Sequence, residues 1–290
     1  MYKKMMMTVL AVLMVMSMFG CGSSGDEKAI TDADGGTTAE TKEVTVEQGQ
    51  VLVDKDGVKI TTQGFEKDSM WGAGIKVLVE NGSKKNINVM IKTLVVNGYN
   101  ITNIFSSSVA AGKKSNETIY LGETDLQAAN IETVADVVVR FTVSDGDSYQ
   151  TLFDTGDVEI KTSAYGTVTQ PAVDDGKELY NGKSIRIVGK YVDENSFWGA
   201  GVLVYIQNDS GKDVLVQCDD MSVNGFMVTP FFSCQVNKGC KALSTITILS
   251  SDLEANGIES VDDIELKFNI IDPESFQTIS DTGTIKFSTK

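Results

Sequence analysis

Residues 71–81 read WGAGIKVLVEN, and residues 198–208 read WGAGVLVYIQN. In both stretches every second side chain is apolar from the tryptophan to Val79 or Ile206, and the next one is an asparagine. A period of two is typical of a β-strand that buries one face. The pattern therefore predicts a strand in each stretch, with Trp71 and Trp198 in a hydrophobic core.

The two stretches belong to a longer internal duplication. The offset of 127 residues between Trp71 and Trp198 superposes almost all of residues 57–162 on residues 184–289 without a gap. So many matches at one fixed offset indicate a module that is written twice. Besides the tryptophan strand, the recurring groups are Asn81 and Asn208, Val-Asn-Gly at 96–98 and 223–225, Asp-Leu at 125–126 and 252–253, and Asp-Thr-Gly at 154–156 and 281–283.

Further strands follow from the same reasoning. Alternation over residues 137–143 and 264–270 predicts a strand in each module, with Phe141 and Phe268 in the core. The Asn-Gly pairs favour two-residue hairpins, because both central positions of such a turn accept positive φ. Just before each hairpin the alternation slips by one residue, which predicts a β-bulge. With about seven short strands in about 110 residues, each module has the size of an immunoglobulin-like sandwich.

The beginning of the chain reads as a targeting segment. Two lysines precede an apolar run over residues 5–19, which is followed by Gly20 and Cys21. A run of about fifteen residues is shorter than the ~20 that a membrane-spanning helix needs, so a cleaved secretory signal is favoured. A small residue before a cysteine resembles the lipobox of bacterial lipoproteins, which implies removal of residues 1–20 and a lipid on Cys21. The alternative is an ordinary signal peptide with a chance cysteine.

The rest of the chain divides by composition. Residues 21–50 are rich in Gly, Ser, Thr, Asp and Glu, which predicts a flexible tether. The duplication places the first module at residues 51–163 and the second at residues 177–290. Between them, residues 164–176 contain Pro171 and are predicted to be a short linker.

The repeated strand, hairpin, Asp-Leu turn and Asp-Thr-Gly strand resemble the tandem immunoglobulin-like modules of lipid-anchored envelope proteins in Gram-positive bacteria. The resemblance implies an all-β fold of two tandem antiparallel β-sandwiches behind the tether. It also implies a location at the cell membrane, on its extracytoplasmic face, with the lipid as the membrane contact. It does not imply a ligand, because sandwiches serve many unrelated functions.

Composition narrows the function. The chain has no histidine, which excludes Ser-His-Asp and Cys-His triads and histidine-ligated zinc. A formal net charge of −15 argues against a nucleic-acid partner, because phosphates would be repelled. We therefore expect a binding or spacing protein and no enzyme, with an envelope protein, a host protein or a glycan as ligand. We expect the ligand to bind to the module loops or in a groove between the modules. The alternatives are an accessory subunit of a membrane transporter or envelope assembly, and a hydrolase that uses carboxylates.

Three cysteines remain in the second module. Cys218 aligns with Ile91 and is predicted to be a core thiol. Cys234 and Cys240 lie on either side of a turn and are the favoured disulfide in an oxidising compartment; Cys218 with Cys234 is the alternative pair. A metal site of three cysteines would lack its fourth ligand.

No cofactor is expected. Calcium is the one ion whose binding the sequence leaves undecided. Residues 54–57 begin like a calcium loop but lack the glutamate that closes one, so a β-turn is favoured. The acidic groups at residues 193–194 and 262–263 read as solvated loop charges, with a weak calcium site between the modules as the alternative.

Aromatic residues distinguish the second module from the first. Phe226, Phe231 and Phe232 stand where the first module has Tyr99, Ile104 and Phe105. Two interpretations are open. The added rings either extend the core and protect a sheet edge, or they form a contact surface for a partner.

Overall fold

The computed structural model describes residues 43–69 and 71–289. Cys21, the predicted signal segment and most of the predicted tether lie outside these residues. Residues Glu43–Lys290 form one compact unit. Neither helix of the described part is long and apolar enough to span a membrane.

The first module consists of two antiparallel sheets that enclose a core. One sheet has the strand order β1-β2-β3-β7, and the other runs β10-β8-β4, with β5, β6 and β9 along its edges. A short helix, α1, joins β7 to β8. The elements are β1 (Val51–Lys55), β2 (Val58–Ser69), β3 (Gly72–Asn81), β4 (Ile87–Val96), β5 (Tyr99–Asn100), β6 (Ser106–Val109), β7 (Lys114–Tyr120), α1 (Glu123–Ala128), β8 (Asp136–Asp145), β9 (Thr151–Asp154) and β10 (Val158–Lys161).

The second module repeats this arrangement strand for strand and adds one short strand, β16. The order β11-β12-β13-β18 faces a sheet in which β14 pairs with β19. The elements are β11 (Lys177–Gly182), β12 (Ile185–Ser196), β13 (Gly199–Asn208), β14 (Val214–Val223), β15 (Phe226–Met227), β16 (Pro230–Phe231), β17 (Ser233–Val236), β18 (Lys241–Leu249), α2 (Ser250–Ala255), β19 (Asp263–Ile271), β20 (Thr278–Asp281) and β21 (Ile285–Ser288).

The predicted all-β class with tandem immunoglobulin-like sandwiches is confirmed. Phe141 and Phe268 are completely buried between the sheets. The predicted bulges are also present: the register shifts between Ile91 and Thr93 where β4 pairs with β8, and between Asp219 and Ser222 where β14 pairs with β19. Each bulge returns the following apolar residues to the inner face.

The two tryptophans are not in the core, contrary to the prediction. Trp71 and Trp198 are each 63% exposed, at the turn that precedes β3 and β13. Gly72 has φ +85° and Gly199 has φ +139°, backbone angles that L side chains rarely adopt. The alternation of the strand therefore ends at the glycine and does not extend back to the tryptophan.

One buried asparagine in each module ties a turn to the neighbouring strand. The side-chain amide of Asn208 donates to the carbonyls of Lys212 and Val236, at 2.7 and 2.8 Å. Asn81 makes the equivalent bonds to Lys85 and Val109. The same two hydrogen bonds form within each module, which explains why the asparagine recurs in the duplication.

The modules are joined by packing as well as by the chain. A parallel bridge between Tyr99 and Lys241 makes one sheet continuous from β10 to β11. Val188 and Tyr205 of the second module are buried in the core cluster of the first. The modules therefore meet in a packed joint, and two openings that both modules line measure about 190 and 310 Å³.

The predicted linker takes part in this joint. The Gln170 amide donates to the carbonyl of Ala129 in the first module, at 2.8 Å. Asp174 pairs with Arg186 of the second module, at 2.8 Å. Arg140 adds a direct connection, because its guanidinium pairs with Asp157 of its own module and with Asp213 of the other. The segment between the modules is therefore bound at both ends.

Folded structure begins earlier than residue 51, where the tether was predicted to end. Val46 is only 7% exposed and forms an antiparallel bridge with Thr162. Polar composition around Val46 suggested a tether, but a single buried valine and a set of backbone hydrogen bonds hold the segment on the first module.

Candidate ligand groove in the second module

A groove of about 760 Å³ opens on the second module, between β12 and the end of β21. Its volume lies in the range of about 300–1,000 Å³ that is usual for ligand sites. β11 pairs with β12 only as far as Gly189. The outer edge of residues 190–196 carries no strand in the described structure, and the groove lies along this edge.

The first module shows why the groove is open. There, residues 43–50 run between β2 and the residues that follow β10. The Gly49 amide donates to the Thr62 carbonyl, at 2.8 Å, and the Ser163 amide donates to the Thr45 carbonyl, at 2.8 Å. By the offset of 127, Thr62 corresponds to Gly189, which pairs with Lys177 of β11, and Thr162 corresponds to Thr289, which lines the groove.

The equivalent segment of the second module takes another path. Residues 170–176 correspond to residues 43–49, but Val173 packs against the core of the first module. The Lys190 ammonium donates to the Val173 carbonyl, at 2.7 Å, and pairs with Asp175. Among the described residues, this segment reaches β12 only at its end, where Lys177 pairs with Gly189, and forms no bridge equivalent to that between Val46 and Thr162.

The groove has an apolar floor and a polar rim. Val202 and Val261 are buried beneath it, and Leu179 and Phe287 are half-buried along it. Tyr191 stands on the rim with 61% of its surface exposed. The remaining rim residues are mainly charged, hydroxyl or amide groups: Lys177, Lys190, Asp193, Glu194, Asn195, Asp262, Ser288 and Thr289.

Two rim groups already have partners that hold their positions. Glu194 accepts the backbone amide of Val261 at 2.6 Å, which ties the end of β12 to the loop before β19. Lys177 lies 6.0 Å from the centre of the Phe287 ring, a cation–π arrangement. The rim is thus held in place before any ligand arrives.

The three cysteines are free thiols, so the predicted Cys234–Cys240 disulfide is not formed. Cys234 is buried on β17, and Cys240 follows the next turn and is partly buried against the core cluster of the second module. Burial raises the pKa of Cys218 and Cys234 to about 12 and that of Cys240 to about 11. Since the thiolate is the reactive form, all three are poor nucleophiles near neutral pH.

The aromatic residues of the second module divide into two groups. Phe232 packs against the Phe268 ring, with 6.0 Å between ring centres, and therefore extends the core. Phe226 and Phe231 are 48% and 59% exposed. Tyr99, the counterpart of Phe226, is buried in the joint, so the same hairpin position is covered in one module and open in the other.

Asp193, Glu194 and Asp262, which were considered for calcium, all line the groove. Within residues 43–69 and 71–289, no three acidic or cysteine side chains are placed to hold a metal ion. Asp193 caps its own loop by accepting the Asn195 amide, at 3.0 Å. Asp56 occupies a tight turn with φ +52°, which agrees with the predicted β-turn.

Comparison with known proteins gives only distant structural matches. No protein-family model and no curated protein matches the chain. A pilin–chaperone complex, SafA with SafB, of Salmonella enterica matches over 74% of this chain and 88% of its own, at 10% identity and a TM-score of 0.23. The YadV chaperone matches over 74% and 90%, at 13% identity and a TM-score of 0.23. A Porphyromonas gingivalis protein of unknown function matches over 84% and 97%, at 9% identity and a TM-score of 0.21.

Proposed function

We propose that this chain is a lipid-anchored, non-enzymatic binding protein of the bacterial cell envelope that holds its ligand in the groove of the second module. The observation that carries the proposal is the groove itself. It combines an apolar floor with exposed polar and aromatic groups, and it is about twice the volume of the groove of about 370 Å³ in the first module. The packed joint would present this groove on a rigid body.

The absence of histidine from the whole chain supports binding over catalysis. A carboxylate-dependent hydrolase is the alternative, and Glu194 on the groove rim already accepts a backbone amide. An accessory role in a membrane assembly would use the same groove, with a subunit of that assembly as the ligand.

Site-specific photocrosslinking in intact cells tests the function. A photoreactive amino acid at Tyr191, on the groove rim, is expected to yield a discrete adduct with an envelope component. The control is the same amino acid at Tyr165, an exposed tyrosine that does not line the groove. Equal adducts from the two positions, or none from Tyr191, would contradict the proposal.

Membrane attachment has its own test. Cys21→Ala removes the sulfur that would carry the lipid, so we expect the variant to leave the membrane fraction and appear in the medium. Detergent-phase partitioning of the variant and the parent protein measures this. A variant that partitions with the detergent as the parent does would show that attachment does not depend on Cys21.

A further inference from the structure

The joint between the modules is made by two unlike surfaces. The first module supplies the hairpin of residues 97–100, which we call the joint hairpin. The second module supplies Tyr205 and residues 237–241, around the start of β18, which we call the joint edge. A contact between unlike surfaces does not use itself up in a symmetric pair, so it can be repeated from one copy to the next.

Backbone and side-chain bonds connect the joint hairpin with the joint edge. The Lys241 amide donates to the Gly98 carbonyl, at 2.9 Å. The Asn237 backbone amide donates to the side-chain oxygen of Asn100 at 2.9 Å, and the Asn100 side chain donates back to that of Asn237 at 3.1 Å. The Lys241 ammonium lies 5.4 Å from the centre of the Tyr99 ring, a cation–π arrangement. Tyr99 is buried as a result.

The duplication gives each of these surfaces a counterpart that is exposed. The offset of 127 carries the joint hairpin to residues 224–227, which we call the open hairpin; there Phe226 is 48% and Met227 is 64% exposed. The same offset carries the joint edge to Leu78 and residues 110–114, which we call the open edge. Leu78 is half-buried and residues 110–114 are mostly exposed. One chain therefore presents both halves of a second joint.

One pair of facing positions is polar in the joint and apolar in the open counterparts. Asn100 faces Asn237 in the joint, and the offset puts Met227 on the open hairpin and Ala110 on the open edge. An amide on one side alone would lose its partner on burial, at about 1–3 kcal/mol. Because both sides are replaced, the contact stays matched: two apolar side chains bury each other and leave no polar group unpaired.

The aromatic and backbone contacts of the joint are preserved in kind. Phe226 takes the place of Tyr99, and Lys114 takes the place of Lys241. β7 pairs with β3 in the register in which β18 pairs with β13, and β7 is the last strand of its sheet. The Lys114 amide therefore points away from β3, as the Lys241 amide points away from β13, and can donate to the carbonyl of Gly225.

The charges of the two open surfaces are complementary. The end of the first module that carries the open edge has four exposed lysines: Lys84, Lys85, Lys113 and Lys114. Two of them, Lys85 and Lys114, also pair with carboxylates of their own module. Beside the open hairpin, Asp220 is exposed and is the counterpart of Thr93, whose hydroxyl lies 3.4 Å from the Asn237 side chain in the joint. Opposite charges at this contact favour association of chains whose formal net charge of −15 otherwise repels.

We infer that the protein associates head to tail, with the open hairpin of one copy seated on the open edge of a second copy. The contact repeats the one that the joint makes within a single chain. Because it is heterologous, each copy in a row keeps one surface for the next copy, and the association is open-ended. No residue of the open hairpin or the open edge lines the ligand groove, so this inference goes beyond the proposed function.

Sedimentation velocity tests the association. The protein is the mature chain with Cys21→Ser, kept soluble without detergent. We expect the weight-average sedimentation coefficient to rise with protein concentration and to pass the value of a dimer, since the contact is open-ended. The expected dissociation constant for one contact is below about 1 mM, the level of weak specific binding.

One substitution blocks each open surface. Phe226→Asp places a carboxylate in the open hairpin, and Ala110→Asp places one in the open edge, opposite Met227. Each is expected to weaken association about tenfold or more, because burying an unpaired charge is costly. Phe231→Asp is the matched control, since Phe231 is 59% exposed and its counterpart Ile104 stays 87% exposed beside the closed joint. Thermal unfolding establishes that the three variants are folded.

A mixture of the two blocking variants separates a head-to-tail contact from any other. Phe226→Asp keeps an intact open edge, and Ala110→Asp keeps an intact open hairpin. The mixture can therefore form one intact contact, and we expect it to recover the parental affinity but to stop at a dimer. Recovery also shows that each variant keeps the shape of its unaltered surface.

Three results would overturn the inference: a sedimentation coefficient that does not change with concentration, equal association of Phe226→Asp and Phe231→Asp, or a mixture that does not recover. Vesicles that contain an anionic phospholipid are titrated in parallel, because the lysines of the open edge could bind phosphate groups. Vesicle binding that Lys113→Glu abolishes, without self-association, would assign the open edge to a lipid surface and overturn the inference as well. All of these results leave the ligand groove, which the crosslinks from Tyr191 test, untouched.

Discussion

Tyr205→Ala is expected to lower the free energy of unfolding by about 3–5 kcal/mol, the usual cost of truncating a buried aromatic side chain. Tyr205 is 1% exposed and belongs to the core cluster of the first module, although it lies on β13 of the second. Its hydroxyl donates to the Gln207 side chain at 3.2 Å. The substitution therefore opens a cavity at the joint and removes contacts that both modules share.

Urea denaturation measures the effect, with Tyr191→Ala as the control. Tyr191 is in the same module but exposed on the groove rim, so its truncation is expected to cost less than about 0.5 kcal/mol. Equal losses from the two variants would show that the joint contributes nothing to stability.

The same variant also reports on coupling between the modules. The chain has two tryptophans, Trp71 in the first module and Trp198 in the second. Trp71→Phe therefore leaves Trp198 as the fluorescent reporter of the second module. Trp198→Phe leaves Trp71 as the reporter of the first module. With the joint intact, both reporters should give one unfolding midpoint, and Tyr205→Ala should separate the two midpoints because the modules lose their shared core.

Asn208→Ala is the second large effect that we expect, at about 2–5 kcal/mol. The substitution leaves the buried Val236 carbonyl without its side-chain donor, at about 1–3 kcal/mol, and removes the bonds of Asn208 with Lys212 and Ser210, at about 0.5–1.5 kcal/mol each. Asn81→Ala should cost a similar amount, because the equivalent bonds are present in the first module.

Asn195→Ala is the matched control for this prediction, since Asn195 is exposed on the groove rim and only its backbone amide is bonded to Asp193. Urea denaturation of the three variants measures the difference. A loss below about 1 kcal/mol for Asn208→Ala would mean that water replaces the amide at the two carbonyls.

The sequence predicted the regular elements because those depend on local patterns. Alternating apolar residues identified the strands that carry Phe141 and Phe268, and the slip in alternation identified the bulges. The tryptophans show the limit of this reasoning. A period of two was extended through Gly72 and Gly199, whose backbone angles end the strand and turn each indole outward.

The groove could not be predicted from the duplication, because the duplication made the two modules look alike. Val46 and Val173 occupy equivalent positions, yet the first closes a strand position in its own module and the second packs at the joint. Whether the valine packs on its own module or at the joint depends on the position of the residues that precede it in the chain. For Val173 the preceding chain is the end of the first module.

The cysteine pairing failed for a related reason. Closeness along the chain favoured Cys234 with Cys240, but both thiols stay free and pack against the core of the second module. A separation of six residues does not fix the direction of either side chain.

By itself, the sequence determined the all-β modules, their number and their main core residues, since alternation and duplication are properties of the chain alone. Only the tertiary structure decided that the modules share a core through Tyr205, that Tyr99 is covered while Phe226 is open, and that Val46 bridges its own module while Val173 packs at the joint. The physical reason is that identical local patterns acquire different neighbours when the second module folds against the first. The burial of each equivalent residue is then set by those neighbours and not by its own position in the repeat.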